Sequence, residues 1–183
     1  MKTIPYMGSK RKLLPFLKDS MLDYLGDTEI HSFFDAFAGS GRVAHHFRNR
    51  YRIVGNDRQS YTKVILEAYL QNTQDLQLYE YLIDGLNALP DSYHSLTDGW
   101  YANTYGAPEN NGCSIGADGN PKPWVDYNAR KIDCIRYQID KMYPEDCVEK
   151  SVLLLSLMIG VSRISNWMGH QTGYFKDWKK GKL

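Results

Sequence analysis

One segment constrains the fold of this chain more than any other. Ser32-Phe33-Phe34-Asp35-Ala36-Phe37 is a short apolar run stopped by Gly39, and Gly41 to Arg50 then reads as a helix. The order predicts a buried strand, a glycine turn at Asp35-Ala36-Phe37-Ala38-Gly39-Ser40-Gly41, and a helix opening on that turn. Glycines at such a place permit a tight turn and let a ligand approach the backbone closely. Arg52-Ile53-Val54-Gly55-Asn56 reads as a second strand, and Asp57 stands 22 residues after Asp35. An acid at the end of that strand can accept hydrogen bonds from ribose hydroxyls, as in nucleotide-binding α/β sheets. The plain alternative is a structural glycine turn with Asp57 on the surface. The order strand, glycine turn, helix, strand, acid favours the ligand site.

Two strands joined by a helix should be parallel. Parallel strands are buried on both faces in sheets of several strands, and a two-stranded piece is marginal. The expected fold is therefore α/β, an incomplete Rossmann-like core consisting of its first βαβ unit, with a largely helical region after it. Ser9 to Leu25 reads as a helix with an irregular start at Pro15, and Ser60 onward as an amphipathic helix through Tyr61, Val64, Ile65, Ala68 and Tyr69. Further helices are expected over 75–89, 128–142 and 145–167. Glycines and prolines punctuate 91–127, which predicts a long irregular loop of the functional or mobile kind. The expected organisation is 1–72 as the cofactor-binding half of the core, 73–172 as the mostly helical region, and 173–183 as a basic aromatic tail.

Apolar residues at 43% and charged residues at 23% exclude a disordered or fibrous chain. The net charge of +1 conceals three basic islands, at 1–18, 42–52 and 151–183, in an otherwise acidic chain. They could form one face for a polyanion, or be solvated helix faces. The 14 tyrosines suit stacking and half-buried cores alike. Tyr101, Tyr105 and Trp124 are open to either reading. Val152 to Val161 is too short to span a bilayer, and the N-terminus lacks an apolar signal core. With three cysteines and no CxxC pair, the chain reads as a reduced, cytoplasmic protein without a membrane partner.

Three motifs resemble those of the Dam-like, D12 class of N6-adenine DNA methyltransferases. Phe34 to Gly41 resembles the family's S-adenosylmethionine motif I, Asn56-Asp57 its motif II, and Tyr6-Met7-Gly8-Ser9-Lys10-Arg11-Lys12-Leu13-Leu14 its motif X. Asn128 to Asp133 and Gly173 to Lys176 are similar to segments that recur further along some members. The resemblance implies S-adenosyl-L-methionine as cofactor and DNA as partner. It implies that Tyr6, Met7, Gly8 and Lys10 line the methionine end, with Lys10 near the carboxylate. Asp35, Phe37, Ala38, Gly39, Ser40 and Gly41 would support the amino acid portion, Asp57 would hold the ribose, and Arg58 would flank the adenine. Lys176, Lys179 and Lys180 in the tail are expected to meet DNA phosphates.

The family's catalytic motif, an acidic or amide residue followed by Pro-Pro and an aromatic, is missing. Prolines fall at 5, 15, 90, 108, 121, 123 and 144, and no two adjoin. Lys122 splits the nearest imitation, Asn120-Pro121-Lys122-Pro123-Trp124. No catalytic residue is therefore expected in this chain. The leading expectation is one subunit of a split adenine methyltransferase, inactive alone, whose partner completes the sheet and supplies the motif. A catalytically inactive DNA-binding or regulatory relative is the alternative. A nucleotide-binding α/β protein of another class is disfavoured by motif X. The five histidines make no zinc-like spacing, so no metal is implied.

Overall fold

Proline is tolerated in the first turn of a helix, where its missing N–H has no partner to lose. Pro15 takes that place: a 3-10 turn at Lys10–Leu13 leads into α1, Leu14–Leu25. This computed structural model describes residues 10–90, 99–107, 115–116 and 118–167. Tyr6, Met7, Gly8, Lys176, Lys179 and Lys180 lie outside the described residues. Contacts divide the chain between Thr73 and Gln74 into two compact units.

In the first unit, α1 is followed by β1 (Ser32–Asp35), α2 (Arg42–Phe47), β2 (Arg52–Gly55) and α3 (Ser60–Leu70). β1 and β2 pair in parallel, with Phe33 beside Ile53, Phe34 beside Val54 and Asp35 beside Gly55. Alternation then sends neighbouring side chains to opposite faces. On one face Phe33 stacks on Phe47 at 5.0 Å between ring centroids and on Tyr51 at 6.5 Å. On the other, Phe34 is 63% and Val54 49% exposed. From the expected stripe of α3, Ile65 and Ala68 are buried, joined by Thr62. The apolar spacing of α1 does not produce a buried face. None of its residues is buried, and Phe16, Leu22 and Tyr24 stand exposed.

The second unit closes on itself. It holds α4 (Leu76–Asn87), α5 (Trp100–Tyr105), β3 (Gly106–Ala107), β4 (Trp124–Val125), α6 (Asp126–Met142) and α7 (Val148–Ile164). Asp75 caps α4 by accepting from the Gln77 N–H at 3.0 Å. Tyr79 and Leu86 of α4, Ile135 and Ile139 of α6 and Leu153 of α7 form its core. Lys150 of α7 reaches Asp140 of α6 at 3.0 Å. The stretch 91–127, expected to be irregular, contains α5 and the parallel β3–β4 pair. Partners distant in sequence make the difference: the Asp133 carboxylate on α6 accepts from the N–H groups of Tyr101 and Ala102, 2.9 and 2.8 Å away. Among the described residues no helix is long and apolar enough to cross a membrane.

Candidate cofactor site

The two strands of the first unit end side by side, and the loops leaving them are joined. Asn56 N–H donates to the Asp35 carbonyl at 2.8 Å, and Ala38 N–H donates to the Asn56 carbonyl at 2.9 Å. The Asn56 side-chain amide adds a bond to the Ala36 carbonyl at 3.0 Å. Gly39 N–H donates to Oδ2 of Asp57 at 2.8 Å, and Gln59 N–H to its Oδ1 at 2.9 Å. From α3, Oγ1 of Thr62 donates to the Gly39 carbonyl at 3.1 Å, closing the loop from below. Five of these hydrogen bonds hold the glycine loop against Asn56, Asp57 and α3, and the one from Gln59 fixes Asp57 itself.

Local backbone chemistry explains the turn. Gly39 and Gly41 have φ of 50° and 67°, the left-handed region that a side chain strongly disfavours. A Cβ on Gly41 would also lie 3.2 Å from Leu66 Cδ2. Ala38, Gly39, Ser40 and Gly41 are buried. Phe37 between strand and turn points outward, 80% exposed.

Electrostatics distinguish the two acids. Asp57 is held below the usual carboxylate range, first by the N–H of Gln59 and then by that of Gly39. Burial pushes Asp35 up, although N–H groups of Phe37 and Ala44 and the charge of Lys10 oppose it. Among the described residues, Oδ2 of Asp35 is buried and has no hydrogen-bond partner. A buried acceptor left unpaired costs about 1–3 kcal/mol, so this oxygen is suited to a ligand that brings a donor. Lys10 acts on both carboxylates.

Of the residues expected to bind cofactor, Lys10, Asp35, Phe37, Ala38, Gly39, Ser40, Gly41 and Asp57 thus gather around one pair of loops. Arg58 follows Asp57 and lines a cavity of about 560 Å³ beside β2, together with Ile53, Gln59 and Leu66. That volume is in the range of small-molecule sites, ~300–1,000 Å³. Sequence reasoning assigned no role to Asn56 beyond its motif and none to Thr62. A signal for Thr62 existed: it lies three positions before buried Ile65, so its hydroxyl falls on the apolar stripe of α3. Among the described residues no group of three or more His, Cys, Asp and Glu is placed to hold a metal ion.

Comparison with known proteins places these motifs in a lineage. The profile of the D12 class N6 adenine-specific DNA methyltransferases matches residues 6–183. The chain is 29% identical to modification methylase LlaI of Lactococcus lactis subsp. lactis and 30% identical to modification methylase StsI of Streptococcus sanguinis. Each match covers 97% of this chain but only 28% and 27% of those relatives. Type II methyltransferase M.NlaIII of Neisseria lactamica is 26% identical over 97% of this chain and 51% of its own length. The chain therefore spans about half, or less, of the curated relatives it matches. No solved structure matches it. With the family profile covering nearly the whole sequence, the chain belongs to the D12 class N6 adenine-specific DNA methyltransferase family.

Proposed function

We propose that this chain provides the S-adenosyl-L-methionine site and the DNA-recognition region of an N6-adenine DNA methyltransferase acting in the cytoplasm. A second subunit would supply the remaining strands of a Rossmann-like sheet and the Asp/Asn-Pro-Pro-aromatic motif. The observation that carries the reading is the bonded pair of loops with one unpartnered, buried carboxylate oxygen, Asp35 Oδ2. The residues present fit the cofactor. Its ammonium group can donate to Asp35 Oδ2, its carboxylate suits Lys10, and its ribose hydroxyls suit the lone pairs of Asp57 not used by Gly39 and Gln59. The cavity bordered by Arg58 and Ile53 can receive a purine. When bound, the cofactor supplies an electrophilic methyl group for transfer to the adenine amine. This chain's own residues bind and orient; the acceptor that steadies the amine comes from the missing motif.

Residues 1–72 would serve the cofactor, 73–172 the DNA, and Lys176, Lys179 and Lys180 its phosphates. The uncovered Phe34–Val54 face supports association, because parallel sheets are covered on both faces. Titration calorimetry with S-adenosylmethionine tests the reading. The parent chain should bind, and Asp57→Ala should weaken binding about tenfold or more by removing a charged acceptor. Equal affinity in the variant would overturn the assignment.

A further inference from the structure

We infer that Thr62 is a positioning residue for S-adenosylmethionine: its hydroxyl, on α3, sets the direction in which the Gly39–Ser40 peptide faces the cofactor. This rests on the proposed cofactor site and concerns a side chain that lies in none of the three motifs.

A hydroxyl on the buried face of a helix is costly unless it is bonded. Thr62 is 1% exposed and shares that face with Ile65 and Ala68. Valine would fill nearly the same volume without the cost. Inside a helix, a threonine hydroxyl can donate to the carbonyl four residues back. Thr62 stands in the first turn of α3, where no helical carbonyl lies behind it. Its Oγ1 instead crosses to the Gly39 carbonyl, 3.1 Å away and 23 positions earlier.

That bond closes a ring. Gly39 N–H donates to one oxygen of Asp57 at 2.8 Å, and Gln59 N–H donates to the other at 2.9 Å. The Gln59 carbonyl accepts from Thr62 N–H at 3.0 Å, and the Thr62 hydroxyl returns to Gly39. Both peptides flanking Gly39 are thus fixed, which selects its φ of 50° from the wide range open to glycine.

The consequence falls on the next residue. In a trans peptide the C=O and N–H point to opposite sides, and no cis peptide occurs among the described residues. With the Gly39 carbonyl drawn to α3, the Ser40 N–H points away from Thr62. Ser40 is buried, yet among the described residues nothing accepts from that N–H. Asp35 Oδ2 in the same pair of loops lacks a donor. An amino acid group carries the complement of both, an ammonium donor and a carboxylate acceptor. Thr62 touches neither, and acts by holding the peptide in place.

Calorimetry on the full chain tests this with two ligands, S-adenosylmethionine and methylthioadenosine, which keeps the nucleoside but lacks the amino acid portion. Thr62→Val keeps the volume and loses the hydroxyl. It should bind S-adenosylmethionine about fivefold more weakly, the equivalent of one net hydrogen bond of ~1 kcal/mol. Thr62→Ser keeps the hydroxyl and should stay within about twofold of the parent. Methylthioadenosine should bind parent and variants alike. A role in packing alone predicts the reverse order, with Thr62→Val like the parent and Thr62→Ser weaker, and that order would overturn the inference. So would equal losses for both ligands in Thr62→Val, the mark of a loop that has collapsed as a whole. Where a thermal melt shows that Thr62→Val does not fold, Thr62→Ala against Thr62→Ser carries the same comparison, since those two differ by the hydroxyl alone. Asp57→Ala separates the outcomes. If the parent fails to bind S-adenosylmethionine, or Asp57→Ala binds it equally well, the cofactor site falls and this inference with it. A parent that binds, a weakened Asp57→Ala and an unaffected Thr62→Val would remove this inference alone.

Discussion

The two units differ in what they leave unfinished. The second buries Tyr79, Leu86, Ile135, Ile139 and Leu153 among three helices from its own sequence. The first has a two-stranded sheet covered on one face by Phe47 and Tyr51, with Phe34 and Val54 exposed on the other and no buried residue in α1. It also contains the unpaired carboxylate oxygen of Asp35 and the two left-handed glycines. Packing and the cofactor loops fall in different units. The closed unit packs a core from three of its own helices, whereas the open one keeps an unpaired acceptor and an exposed sheet face where a cofactor is expected.

The largest effect should come from the closed unit. Ile139→Ala removes a fully buried side chain and should cost about 2–5 kcal/mol in a denaturant titration. Phe34→Ser is the matched change on the open sheet and should cost the isolated chain within about 0.5 kcal/mol, since most of the ring is already in water. Comparable losses would mean that the sheet face is covered within the chain, and the contrast would fail.

Asp35→Asn sharpens the contrast at the site. Removing the charge should weaken S-adenosylmethionine binding about tenfold, as loss of one charge-assisted bond does, while raising the melting temperature of the unliganded chain. The sign follows from burial. Asp35 has a raised folded pKa, so its contribution is favourable below the ordinary carboxylate value and is lost as pH rises through the raised one. Asp57 runs the other way. Its lowered folded pKa gives stability present above the ordinary value and lost as pH falls through the folded one. Melting curves of Asp35→Asn and the parent should therefore converge in acid. A variant that melts lower than the parent at neutral pH would contradict this account of the buried oxygen.

Much of this architecture was legible in the sequence because its signals are local. Short apolar runs marked β1 and β2, and the glycine turn marked the junction with α2. Isoleucines at helical spacing marked the buried face of α6. What escaped depends on partners distant in the chain. Between 91 and 127 the glycines and prolines masked α5, whose first turn is fixed by Asp133 some thirty positions later. The apolar residues of α1 signalled a helix but not what would cover it. At the site, Asp57 was readable as an acid after a strand. Its grip on the N–H groups of Gly39 and Gln59, and the hydroxyl of Thr62 under the loop, are visible only once α3 is folded beside the turn.

The central claim is that the open unit forms a working site only with polypeptide that completes its sheet and carries the Pro-Pro motif. Transfer of a labelled methyl group to adenine N6 in DNA tests it most directly, comparing the 183-residue chain alone with the chain co-purified with such a polypeptide. The account predicts no transfer from the chain alone, transfer from the mixture, and loss of that transfer in Asp57→Ala. Methylation of adenine by the chain unaided would contradict it.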